Sequence, residues 1–171
     1  MSPRAIRLAV LAAVVAAAWL GWSWWRSPER RIHRRLDALM NELEKHGDES
    51  ALASAATARG VLDFFAPGFI VRARPYVSEL RDPQQLAGAV MRFRGVARSV
   101  SIDVSDRKLT LGPGNRSGEP TFLAAVALDR GAGNARESWR VRSLWIDDGG
   151  EWRLSELELL ERVEGNGALG F

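Results

Sequence analysis

The sequence predicts an α+β domain in which three N-terminal helices pack on a strongly curved antiparallel sheet, preceded by one transmembrane helix. Three observations carry this. Apolar residues recur at three- and four-residue spacing up to about residue 96 and alternate from residue 99 onward. The alternation slips phase near Asp106-Arg107 and again near Ser155-Glu156, and a bulge at each slip bends a long strand. Residues 8–25 form a stretch of 18 residues without a charge.

That stretch is just long enough, at about 1.5 Å per residue, to cross a hydrocarbon core of about 30 Å. Trp19, Trp22, Trp24 and Trp25 crowd its end, where an interfacial aromatic belt would lie, and Arg4, Arg7 and Arg26 flank it. Two readings stand. An uncleaved signal-anchor explains the tryptophans, which a mature soluble N-terminus would expose. A cleaved signal peptide would use Ala16-Ala17-Ala18 as its site. The anchor is preferred, giving an anchor over 1–26, a folded domain over 27–164 and a disordered tail over 165–171. The short basic leader before the apolar run favours a single-pass protein of a bacterial inner membrane, with the C-terminal domain on the periplasmic side. The partner implied first is therefore the lipid bilayer, through residues 8–25.

The elements follow in order. Ser27-Pro28-Glu29 is a cap, a Pro at the first helical position and an early acid. Ile32, Leu36, Leu39, Met40 and Leu43 then mark one helix face up to His46-Gly47. A second, alanine-rich helix is expected from about Glu49 to Phe65, halted by Pro67. A short strand follows at Phe69 to Ala73, and a few extended residues at Tyr76 to Leu80. Asp82-Pro83 starts the third helix, with Leu86, Val90 and Phe93 on one stripe. Thr121 to Leu128 is apolar on both faces, as a central strand should be. Asp147-Asp148-Gly149-Gly150 between two alternating runs predicts a hairpin. A symmetric two- or four-residue loop there makes Trp145 and Trp152 cross-strand partners.

Charge and composition exclude several functions. The net charge of +3 is uneven: residues 1–35 hold seven arginines and one acid, whereas the rest has 17 basic and 20 acidic groups. The folded domain therefore has no basic surplus with which to seek nucleic acid. The arginines near the N-terminus suit anionic headgroups or the solvated face of a helix. There is no cysteine, which excludes a disulfide framework, a thiolate metal site and a cysteine nucleophile.

Three stretches in order carry a resemblance to a known family. They are Leu62-Asp63-Phe64-Phe65-Ala66-Pro67-Gly68-Phe69-Ile70-Val71, then Leu80-Arg81-Asp82-Pro83-Gln84-Gln85-Leu86, then the terminal hairpin with Trp139, Trp145 and Asp147-Asp148-Gly149-Gly150-Glu151-Trp152. From about Arg30 to Glu164 the chain resembles the nuclear transport factor 2-like superfamily, the cystatin-like α+β roll that includes SnoaL-like proteins. The resemblance implies a conical cavity between helices and sheet. Relatives use such a cavity as an enzyme site, as a small-molecule pocket, or not at all.

The residues do not supply the chemistry of the enzymes. An isomerase-type site needs a carboxylate base after the first strand and donors aimed at a developing enolate oxygen. The stretch Val71-Arg72-Ala73-Arg74-Pro75 has no acid, and the penultimate strand presents Ser138, Arg140, Arg142 and Ser143 where one is needed. Of the two histidines, His33 adjoins the apolar stripe of helix one and is a weak polar candidate for the cavity. A helix-packing role is the simpler reading. His46 and His33 lack the spacing of a zinc site. No catalytic residue, cofactor or metal ligand is assigned. If a pocket exists, Phe69, Tyr76, Phe93 and Trp139 are expected to line it. Arg140 and Arg142, on the alternate face, suit a homodimer or protein-partner surface, or a salt-bridged exterior. The expected function is that of a membrane-tethered, non-enzymatic binding or assembly domain. The alternative is a small-molecule carrier or a lyase- or isomerase-type enzyme using the cone.

Overall fold

A computed structural model describes residues 27–131 and 133–165, together with the isolated positions 14, 15, 18, 19 and 22. Apart from those isolated positions, the expected membrane anchor lies outside the described residues, as does all but the first residue of the expected tail. Among the described residues no helix is long and apolar enough to cross a membrane.

Helix α1 spans Pro28–Leu43. Ser27 caps it by accepting a hydrogen bond from the Arg30 amide at 3.4 Å, and Ile32, Leu36 and Leu39 form its buried stripe. The expected stop at His46-Gly47 comes three residues early. Lys45–His46 form a two-residue strand, β1, instead. Helix α2, Ala51–Leu62, is capped by Ser50, whose hydroxyl accepts from the Ala53 amide at 3.2 Å. It also ends early: Phe65 does not finish the helix but opens strand β2, Phe65–Ala73.

The sheet decides that boundary. Strand β7, Glu151–Glu164, needs a partner on its outer edge, and β2 runs parallel to it there. Leu154 donates its amide to the Phe64 carbonyl at 2.7 Å. Pro67, with no N–H to offer, is tolerated because the ladder is interrupted between Phe65 and Ile70, where Gly68 takes a positive φ of 75°. Strand β3, Val77–Leu80, pairs back on β2, and helix α3, Pro83–Gly95, starts at the Asp82 cap as expected.

The remaining long strands are β4, Ser99–Leu111, β5, Ser117–Asp129, and β6, Asn134–Asp148. With the others they make one sheet of seven strands in the order β1-β4-β5-β6-β7-β2-β3. Both expected bulges are present. The β4–β5 register shifts between Ser105 and Lys108, with Asp106 at φ 48°, and the β6–β7 register shifts where Trp145 faces Leu154 and Leu144 faces Glu156. Further shifts at Val141 and Trp139 add to the bend.

The hairpin closes through Gly149-Gly150, both at positive φ. Asp148 faces Glu151 and Asp147 faces Trp152, so Trp145 is opposite Leu154 rather than Trp152. The turn slides to put its two positive-φ positions on the two residues that take them without a Cβ penalty. Trp145 and Trp152 remain diagonal neighbours on one face and are almost fully buried. Arginines of α1 hold the hairpin down. Arg31 donates to the Gly150 carbonyl, and Arg35 donates to those of Trp152 at 3.1 Å and Asp63 at 3.3 Å. Two arginines of the basic cluster are thus spent on the fold.

A polar knot fastens the opposite end of α1. Arg94 is 5 % exposed, and its guanidinium donates to the carbonyls of Glu42, Leu43 and Glu44 at 3.0, 3.0 and 2.5 Å. Those are the carbonyls a helix C-terminus leaves without partners. Its other face clasps both oxygens of Glu49, at 3.0 and 2.6 Å. Lys45 does the same for α3, donating to the carbonyls of Arg94 and Ala97.

Candidate ligand-binding cavity

Helices α1 and α3 do not fill the concave side of the sheet. Between them lies a cavity of about 250 Å3. Its roof is Leu39, Met40 and Leu43 of α1 and Leu86, Val90 and Phe93 of α3. Its floor comes from alternate positions of the sheet, Phe122, Ala124 and Val126 on β5, then Val141 on β6 and Leu157 and Leu159 on β7. The two-residue period of β5 sets this floor together with the bulge at Ser155 of β7, which returns Leu157 and, two residues on, Leu159 to the inner face.

Among the described residues only two lining side chains contain nitrogen or oxygen, Tyr76 and Trp139. Their rings meet edge to face with centroids 5.8 Å apart. Both donate to one atom. The Tyr76 hydroxyl gives its proton to Oε2 of Glu137 at 2.5 Å, and the Trp139 indole N–H donates to the same oxygen at 3.0 Å. Glu137 is fully buried and does not itself line the cavity. Arg162, opposite Trp139 on β7, stands at the exposed side with its guanidinium carbon 6.0 Å from the indole centroid. Gly165 lies over Glu137 so closely that a Cβ there would come within 2.6 Å of Glu137 Cγ.

Burial pushes the Tyr76 phenol up to about 12, and its hydrogen bond to Glu137 and the charge of that carboxylate push in the same direction. Arg162 opposes the shift. At any neutral pH the phenol keeps its proton, and that proton belongs to Glu137.

Tyr76, Phe93 and Trp139 all line the cavity, but Phe69 does not. The register shift at Pro67-Gly68 carries the Phe69 ring against Phe65, centroids 4.9 Å apart, while Phe65 and Val71 take the lining positions. His33 stays on α1 away from the lining, its Nδ1 buried without a hydrogen-bond partner among the described residues. His46 is exposed, 3.9 Å from the Glu44 carboxylate. Among the described residues no group of three acids or histidines is placed to hold a metal ion.

The β6 positions weighed for an acid, Ser138, Arg140, Arg142 and Ser143, leave out Glu137, and the structure corrects that. The signal was the alternation itself. Trp139, Val141 and Trp145 mark the inner face of β6, and a step back of two residues from Trp139 reaches Glu137, whereas Ser138, Arg140 and Arg142 belong to the other phase. That other phase carries cross-strand ion pairs, Arg140 to Asp106 at 2.8 Å and Arg142 to Glu158 at 2.5 Å. Exposed pairs of this kind contribute little to stability, because water and salt screen them.

The sequence matches no known family, and no curated protein matches it either. Solved structures are similar in shape. A protein of unknown function with a cystatin-like fold from Nostoc punctiforme is 11 % identical, with a TM-score of 0.59 over 77 % of this chain and 88 % of that one. A candidate scytalone dehydratase from Novosphingobium aromaticivorans is 10 % identical, with a TM-score of 0.63 over 81 % and 85 %. A candidate calcium/calmodulin-dependent protein kinase II association domain from Xanthomonas campestris is 14 % identical, with a TM-score of 0.61 over 75 % and 84 %. At these identities the likeness is one of fold, and the chain adopts a cystatin-like α+β roll.

Proposed function

We propose that this chain is a membrane-tethered binding protein whose cone holds a small, uncharged, apolar molecule without transforming it. One observation carries the reading: a cavity of about 250 Å3 in which, among the described residues, only Tyr76 and Trp139 bring polar side-chain atoms, both already bonded to Glu137. The volume exceeds the roughly 150 Å3 in which an apolar cavity admits benzene and approaches the lower end, about 300 Å3, of small-molecule sites. An occupant of one or two rings fits that space.

The absence of reaction follows from the same bonds. A proton-transfer site needs a base or a free donor at the reacting atom. Here the carboxylate does not line the cavity, and the two donors beside it are engaged. The tether is residues 8–25, the placement is a bacterial inner membrane with the domain outside, and the ion-paired outer sheet face is the surface left for a second copy or another protein. Reporter fusions at the C-terminus test the placement, and activity of a cytoplasm-only reporter would overturn it.

The binding reading is tested by thermal shift of the full chain in nanodiscs with indane. A saturable rise in melting temperature, lost in Trp139→Ala and Tyr76→Ala, is expected. No shift at ligand saturation of the aqueous phase would refute it.

A further inference from the structure

The basic first half of α1 meets the tip of the terminal hairpin at an open cleft of about 250 Å3, lined by Arg31, Arg34, Arg35, Gly150, Glu151 and Trp152. Among the described residues the side chains of Arg31 and Arg35 bond only to backbone carbonyls, those of Gly150, Trp152 and Asp63, and Arg35 also lies over the Phe64 ring. A carbonyl takes up an N–H but leaves the positive charge in place. Each guanidinium has five N–H donors, of which Arg31 uses one in these bonds and Arg35 two. The acids of the hairpin are turned elsewhere. Asp148 and Glu151 pair with Arg153 at 3.5 and 3.2 Å, and Asp147 accepts from the Gly150 amide at 2.9 Å.

We propose that this cleft seats the phosphate of an anionic phospholipid, taken from the bilayer that residues 8–25 enter. This deepens the tether reading and rests on it. Distance favours a lipid source. Only Arg26 separates Trp25, the last residue of the apolar run, from the Ser27 cap of α1. Two residues reach at most about 7 Å, and α1 rises about 1.5 Å per residue. The Arg31 backbone therefore lies within about 13 Å of the end of the apolar run, and helical side chains lean back toward the helix N-terminus, the side from which the tether enters. Guanidinium forks match phosphate oxygens two at a time. Charge decides the headgroup. The ammonium of phosphatidylcholine cancels its phosphate and meets three arginines, whereas phosphatidylglycerol brings a net negative charge. Seated this way, the hairpin end of the domain faces the lipid. The cavity residues of α1, Leu39, Met40 and Leu43, lie farther out.

The experiment places the full chain in nanodiscs of phosphatidylcholine mixed with phosphatidylglycerol and releases it in native mass spectrometry. The lipids it retains are compared with the composition of the disc. One arginine at an anionic surface corresponds to about a fivefold preference, so phosphatidylglycerol is expected to be enriched by at least that factor. Arg31→Gln combined with Arg35→Gln is expected to remove most of the enrichment. A role confined to holding the hairpin would lower stability and leave the lipid ratio unmoved. No enrichment in the parent chain, or enrichment that survives the double substitution, overturns the proposal and leaves the tether standing if the chain still co-purifies with the discs. A chain that does not enter the discs overturns both. Enrichment removed by inorganic phosphate, but not by sodium chloride of equal ionic strength, assigns the cleft to a free anion and also overturns the proposal. If the double variant does not fold, Arg34→Gln serves. The enrichment is then expected to fall several-fold, and an unchanged ratio overturns the proposal.

Discussion

Tyr76 is the only tyrosine in the chain, so the near-ultraviolet phenolate band titrates one group. In the folded protein its midpoint is expected at about 12, against an ordinary value of 10.0, with burial the largest cause and Glu137 the next. The linkage has a definite sign. The folded state holds the proton more tightly than the unfolded state, so the contribution is complete below pH 10 and is lost as pH rises toward 12. Two pH units correspond to at most about 2.7 kcal/mol, and less in practice because the ring is only partly buried and water screens it. Urea unfolding at successive pH values should therefore show stability falling through this window by about 1–2 kcal/mol beyond any general alkaline trend. Glu137→Gln removes the carboxylate charge and should bring the midpoint down, while burial keeps it above 10. A phenol that titrates at or below 10 in the folded chain would refute the placement of Tyr76 against Glu137.

Three further predictions concern the scaffold. Arg94→Ala strips three helix-terminal carbonyls and the Glu49 carboxylate of their shared partner, and should destabilise the domain by about 3–5 kcal/mol in urea unfolding. The Glu49 carboxyl is held below its ordinary value chiefly by its hydrogen bond to Arg94, so that pair's contribution is present above about pH 4.5 and lost as pH falls through the depressed value; an acid-unfolding profile of Glu49→Gln should lack that component. Gly118→Val should cost about 1–3 kcal/mol by thermal melting, because a Cβ at this position comes within 2.4 Å of the buried Ile32 Cδ1.

Much of the architecture was legible because it rests on local chemistry. The Ser27 and Asp82 caps start their helices where expected, and the phase slips at Asp106 and Ser155 are both bulges. The misreadings share a cause, which is contact between distant segments. Phe64 and Phe65 leave a helical pattern because the edge of β7 requires a parallel partner, and that shift also moves Phe69 out of the cavity. The hairpin register turns on which of two symmetric closures gives Gly149 and Gly150 the positive-φ positions. Arg31, Arg35 and Arg94 look like surface charge in sequence, yet each is spent on backbone carbonyls brought from far along the chain. Glu137 was hidden differently. An acid near the start of an arginine-rich strand looks solvated until its phase is counted from Trp139.

The central claim is that the cone contains open apolar space that a ligand can occupy, and Ala89→Phe tests it most directly. Ala89 lies on α3 and lines the cavity, so the new ring enters that space. The account predicts a folded variant with stability equal to or above that of the parent and with indane binding abolished. A loss of about 1–3 kcal/mol, the usual result of overpacking a filled core, together with intact indane binding would contradict it.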